Sequence, residues 1–296
     1  MKRRTFLRHS AAAAALAAGA PSLRSAPKSA FAPPTRKFAS DVIELGPDKI
    51  KLSRLAMGTG TSGTGGSSHQ TRKLGVRGIT ELYQFGFDNG VTFWDTADQY
   101  GSHPHLANTL KYVPREKVAI MTKSRAKTAD QMRADIERYR KELNTDFIDM
   151  LMLHAVTDEH WPENYAGAMD VVNEYKQKGI VRSRGISCHS IGALRRVAGQ
   201  EYIDVDLARI NPVGSAMDAD PATVIEELQK IKAAGKGIIG MKILGAGSLA
   251  HRPDYALQHA LALDCVDCFT IGAENVAQLS DLVTRIPKAS VHGWQA

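Results

Sequence analysis

Two hydrophobic periods alternate along this chain. Short apolar runs of strand length recur at "RLAMGTG", "VTFWDTA", "VAIMTK", "IDMLMLH", "SRGISCH", "LARINP", "GIIGMKIL" and "CFTIG", eight in all. Between them lie stretches whose apolar residues fall three and four apart. In "TADQMRADIERYRKEL" these are Met132, Ile136, Tyr139 and Leu143, one face of a helix. "YAGAMDVVNEYKQKG", "IGALRRVAG", "PATVIEELQKIKAAGK", "YALQHALALD" and "NVAQLSDLVTRI" complete the helical series. Ahead of the first run, "VIELGPDKIKLS" reads as a β-hairpin that turns at Pro47-Asp48. Strands alternating with helices pair in parallel through right-handed crossovers. Eight such units in about 250 residues predict a closed (β/α)8 TIM barrel with an N-terminal hairpin, in preference to an open doubly wound sheet. No linker or composition break divides residues 41–296, so they read as one domain.

Residues 1–40 read differently. "MKRRTFLRHS" carries Arg3 and Arg4, "AAAAALAAGA" is short and weakly apolar, and small residues precede Pro27. That order is expected of a twin-arginine export signal and linker, with the export machinery as a partner and a periplasmic destination. No apolar run reaches the ~18 residues of a spanning helix, so no stable membrane anchor is expected. The segment also accounts for the charge. The whole chain is +7, with 38 Lys and Arg against 31 Asp and Glu. Eight of the 38 lie in residues 1–40 and none of the 31 do, which leaves 30 against 31 for the rest. The basic balance therefore gives no footprint for nucleic acid. Cys265 and Cys268 form a CxxC without the second pair of a structural zinc site, and read as buried cysteines.

A β/α barrel carries its active site at the C-terminal ends of its strands. The second run ends in Asp95, with Tyr100 in the loop behind it. The third ends in Lys123 and the fourth in His154. A free phenol titrates near ~10, too high for easy proton transfer, and a nearby ammonium favours the phenolate. Lys123 is expected to lower Tyr100 in this way and Asp95 to hold Lys123, making Tyr100 a general acid. His154 is placed to donate to a carbonyl oxygen. Beside a hydride donor, such a set reduces a carbonyl.

"FWDTADQYG", "MTK" and "DMLMLH" resemble the aldo-keto reductases, over about residues 42–285. The resemblance implies hydride transfer between NAD or NADP and an aldehyde or ketone, or the reverse from an alcohol; the short tail after the last helix adds a sugar or other polar carbonyl as a candidate substrate. It implies Tyr100 as proton donor, Asp95 and Lys123 as its tuners and His154 as the orienting residue. It further implies a cofactor rim of Gly58, Thr59, Ser187, Cys188, Asn211, Met241, Lys242, Leu244, Gly272, Glu274 and Gln278, and no metal. Several positions depart from the family pattern. Cys188 stands where an Asn is usual, and Met241 where an aromatic often stacks. Gly272 and Gln278 stand where basic residues meet the 2′-phosphate of NADP, with Glu274 between them, so NAD is expected to bind at least as well.

Other features point elsewhere. "GTGTSG", residues 58–63, fits GxGxxG, but no helix is expected directly behind it, and residues 58–75 read as a flexible loop and candidate lid. "HPH", residues 103–105, together with His154, His189 and Asp95, raises a metal-dependent barrel hydrolase as an alternative. A non-catalytic nucleotide-binding barrel is the third reading. Trp161 is a candidate wall of the pocket.

Overall fold

A computed structural model describes residues 30–294; the twin-arginine segment expected at the N-terminus lies outside them, apart from the last part of its linker. Strands β1 (Val42–Leu45) and β2 (Ile50–Ser53) form an antiparallel hairpin. The barrel strands are β3 (Leu55–Gly58), β4 (Phe93–Asp95), β5 (Ala119–Ser124), β6 (Ile148–Val156), β7 (Val181–Cys188), β8 (Val205–Arg209), β9 (Gly237–Met241) and β10 (Cys268–Ile271). They close as a parallel ring in chain order, β10 pairing with both β3 and β9. All eight apolar runs are barrel strands.

The helices are α1 (His69–Asp88), α2 (His103–Thr109), α3 (Ala129–Leu143), α4 (Trp161–Asn164), α5 (Ala166–Gln177), α6 (Ile191–Arg196), α7 (Pro221–Ala233), α8 (Pro253–Ala262) and α9 (Val276–Ala289). The apolar face anticipated for α3 is buried, at Met132, Ile136, Tyr139 and Leu143. Helix α1 begins inside the stretch expected to be a flexible loop. Ser68 caps it by accepting from the Thr71 amide, while the Thr71 hydroxyl accepts from the Ser68 amide. A Thr in place of the usual Glu or Gln made that box hard to recognise.

Period-2 alternation divides the core into two layers. Ala56, Phe93, Met121, Met150, Met152, Leu207 and Ile239 fill the barrel interior. Leu55, Met57, Trp94, Ile120, Leu151, Ile186 and Ala208 face the helices. The hairpin plugs the floor, with Leu45 and Leu52 joining the interior layer. Gly46 turns it at φ 64°, and a Cβ there would stand 3.0 Å from the Asp204 carbonyl.

The fold starts earlier than residue 41. The Ala32 amide donates to the Ala262 carbonyl at 2.8 Å, and the Asp264 amide to Ala30 at 3.1 Å. Lys37 Nζ donates to Leu261, and its amide to Ser290 Oγ. Phe31 stacks on Trp294. Residues 30–40, assigned to the linker, are a strap packed on α8 and the C-terminal end of α9. Its few apolar residues bind a site made only by the folded barrel, so periodicity carries no trace of it.

Candidate active site at the barrel mouth

The interior parity of each strand places one residue at the top of the barrel. These are Gly58, Asp95, Lys123, His154, Ser187, Arg209, Met241 and Thr270, one from each of the eight strands. Asp95, Lys123 and His154 are thus brought together with Tyr100, which sits on a short 3-10 turn, Asp98–Tyr100, behind β4.

Lys123 is fully buried and paired with Asp95 Oδ1. It also donates to the Thr96 carbonyl at 2.7 Å and lies 3.5 Å from the Tyr100 hydroxyl. The other Asp95 oxygen accepts from Thr270 Oγ1 at 2.7 Å. Burial pulls Lys123 down, but Asp95 and Tyr100 outweigh it and hold the ammonium above its ordinary value. Tyr100 moves opposite to expectation. Burial raises its phenol and Asp95 adds to this, while Lys123 only offsets part of the rise. The phenol is kept protonated, as a donor must be, and the ammonium stabilises the phenolate left after transfer.

His154 packs its ring edge-to-face on Tyr100, with centroids 5.7 Å apart. Burial and the charges of Lys123, Arg125 and His189 lower it to about 2, so it is neutral. A bulge follows it. From Leu153 to Val156 four residues of β6 stand against three of β7, Ile186 to Cys188, and Ala155 takes φ 54°. Such a bulge re-aims the neighbouring side chain.

The first βα loop closes over the donor. A Cβ on Gly60 or Gly63 would stand 2.4 Å from the Tyr100 ring. The loop is tied down rather than flexible. The Thr61 amide donates to Gln70, whose Nε2 donates back to Thr61 Oγ1 at 2.6 Å, and the Gly66 amide donates to the Gln99 carbonyl. Beneath it Ser102 Oγ bonds both Thr59 Oγ1 at 2.8 Å and Thr96 Oγ1 at 2.5 Å. The sequence reading missed Gly60, Gly63, Ser102, Arg209 and Thr270. A polar Thr270 inside a buried apolar run was the one available signal.

The expected cofactor rim is redrawn. Ser187 Oγ faces the mouth, buried and without a partner among the described residues, as does Nδ1 of His154. Gly58 faces the mouth against Thr270 and Asp95, and Gly272 lies where a Cβ would meet Thr61 and Gln70. Met241 lies on the interior layer and Leu244 on the outer one. Lys242 adopts φ 59° at the β9 end and makes no side-chain bond among the described residues. Cys188, by strand parity, points away into the helix layer, where burial raises its thiol. Asn211 is consumed by its own loop, donating to Ser215 and Lys242 and accepting from Val213 and Ser215. Arg209, two residues earlier, holds the mouth position of β8. Thr59 is likewise committed, its amide and hydroxyl both on the Asp95 carbonyl. Gln278 lies in the first turn of α9, where its amide donates to the Asn275 cap and its side chain accepts from the Glu274 amide. Glu274 pairs with His69 at 3.5 Å and Lys73 at 4.0 Å, which mutes the charge expected to repel a 2′-phosphate.

Two other expectations are corrected. His103 is buried on α2 with both ring nitrogens engaged, by Glu142 at 2.8 Å and Thr122 at 2.7 Å. Among the described residues no three His, Cys, Asp or Glu side chains gather as metal ligands. Trp161 is core, its indole donating to the Ala193 carbonyl.

Residues 54–261 match the model of the aldo/keto reductase family. The NADH-specific methylglyoxal reductase of Escherichia coli is 24% identical over 201 residues, 60% of this chain and 60% of its own length. The D-threo-aldose 1-dehydrogenase of a Pseudomonas species is 23% identical over 232 residues, 67% of this chain and 68% of its own. The matches span between 46% and 66% of the length of the first curated relatives. The fold resembles the holo form of an aldo-keto reductase from Bacillus halodurans, with TM-score 0.67, 18% identity, and coverage of 87% of this chain and 93% of that one.

Proposed function

The chain belongs to the aldo/keto reductase family, and from that membership we propose that it reduces an aldehyde or ketone with NADH or NADPH, or runs the reverse oxidation. The observation that carries the reading is the buried chain from Asp95 through Lys123 to the Tyr100 hydroxyl. It has the order a proton donor needs: an acid to fix the ammonium, the ammonium to receive the phenolate, and the phenol at the mouth.

The mouth fits a nicotinamide cofactor. The orphaned Ser187 hydroxyl suits a carboxamide, and Lys242 offers an unpaired cation to a pyrophosphate. When bound, the cofactor supplies the hydride that reaches the carbonyl carbon. Tyr100 gives its proton to the carbonyl oxygen. Lys123 stabilises the phenolate that remains, and Asp95 keeps Lys123 charged. Neutral His154 has one N–H to donate to the same oxygen.

NAD is accepted at least as well as NADP in this reading, since Gly272 and Gln278 bring no cation. Glu274→Gln should then raise relative affinity for NADPH over NADH, read by fluorescence titration. The reading also includes export through the twin-arginine route, supported by the order of Arg3, Arg4, the weakly apolar segment and the small residues before Pro27. A protein exported with its cofactor bound should release nucleotide when denatured after purification from the periplasmic fraction. Cytoplasmic retention of the wild-type chain would remove this part.

The test of the activity is Tyr100→Phe. It should lower kcat about 100- to 10,000-fold while leaving NAD(P)H binding in place. Full turnover by the variant would refute the donor role.

A further inference from the structure

We infer that the substrate is an anionic aldehyde or ketone, carrying a carboxylate or phosphate, and that Arg125 binds its charged group. This rests on the reductase reading of the same site.

Arg125 is the first residue past the end of β5, two residues beyond Lys123. Ser124 pairs with Leu153, so Arg125 is level with His154 on the neighbouring strand. Alternation agrees. Met121 and Lys123 face inward, while Ser124 turns out to bond Asp135 at 2.6 Å. Arg125 therefore rises from the barrel wall beside the reacting centre.

Its lack of a partner sets it apart from the other arginines there. Arg209 is held by Asp218. Arg138, which secures the turn carrying Tyr100, is held by Asp98 at 2.7 Å, by Asp135 and by Glu142. Arg125 is exposed and makes no hydrogen bond, ion pair or ring contact among the described residues. The acids of the neighbouring loop are committed elsewhere. Asp158 accepts from the His160 amide and from Asn164, and Glu159 lies 3.6 Å from His160. Among the described residues no carboxylate neutralises this guanidinium.

The field at the mouth has the same sign. Arg125 acts on Tyr100, His154 and His189 alike, and helps keep both imidazoles uncharged. A mouth lined by one sign of charge concentrates ligands of the other. A guanidinium also meets a carboxylate or a phosphate with two parallel donors. Lys242, the second unpaired cation, stands on the far side at the end of β9 and serves the cofactor rim. Arg125 is left for the substrate.

The experiment compares matched pairs, 4-oxobutanoate with butanal and glyceraldehyde 3-phosphate with glyceraldehyde, in wild type, Arg125→Gln and Arg125→Lys. In wild type at least one anion should exceed its neutral partner in kcat/KM by on the order of tenfold to a hundredfold. The pair showing that preference identifies the group as carboxylate or phosphate. Arg125→Gln should erase it mainly through KM, with less than about threefold change for the neutral compound, and Arg125→Lys should restore part of it. Equal use of charged and neutral partners by the wild type, or an unaltered preference in Arg125→Gln, overturns the assignment and leaves the reductase reading standing. No NAD(P)H oxidation with any of the four compounds, despite cofactor binding, removes both.

Discussion

At the scale of single residues, Tyr100 shows how two opposing effects are settled by magnitude. A cation 3.5 Å from a phenol favours the phenolate, but loss of water on a group covered by the first βα loop disfavours it more. The sign has a consequence for pH. The donor stays protonated until pH passes its raised value, and His154 and His189, lowered to about 2 and about 4, do not titrate near neutrality. The pH profile of kcat/KM for reduction should be flat between about 5 and 9. A break in that range would show that the phenol is acidic after all.

Gly60 makes a second residue-scale case. Its need for glycine is contact with the ring rather than backbone conformation, because a Cβ would stand 2.4 Å from Tyr100. Gly60→Ala should displace the phenol and reduce kcat on the order of 100-fold. Thermal stability should change little, since the clash is with the phenol ring, which can turn aside. Equal activity would show that the loop does not press on the donor.

At the scale of elements, strand β8 carries a cost hidden by the regularity of the barrel. By parity Asp206 points outward, between Ile186 of β7 and Ile238 of β9. Both its oxygens are buried without a partner among the described residues. Burial, with Asp218 nearby, raises its carboxyl to about 8. In the unfolded chain an Asp titrates near ~3.9. Between those values the native state holds the extra proton, so this group's contribution to stability falls as pH rises from about 4 through about 8. Asp206→Asn should flatten that decline, read from urea midpoints at about pH 5 and about pH 8. An unchanged slope would mean that the carboxyl is already ionised in the native state.

At the scale of the whole molecule, the strap joins the segment before the hairpin to the last helix. Phe31 stacks on Trp294, which also packs on Tyr255 and His259. Phe31→Ala should cost about 2 kcal/mol and lower Tm by roughly 4–8 °C in a barrel of this size, without altering kcat. A drop in kcat at full folding would tie the floor of the barrel to the mouth.

The amino-acid order by itself determined the number of strands and the periods of the helices, because these arise between residues two to four apart. It also showed Asp95, Lys123 and His154 at strand ends, since polar residues ending apolar runs stand out in a chain. Only the tertiary structure decided which side of each strand faces the mouth. That choice turned Cys188 into core and brought Arg209 and Thr270 to the rim, while packing between elements buried Trp161 and local hydrogen bonds committed Asn211 and Gln278. It also decided the direction in which Tyr100 titrates. Burial and register are sums over residues far apart in the chain, and no local pattern contains them.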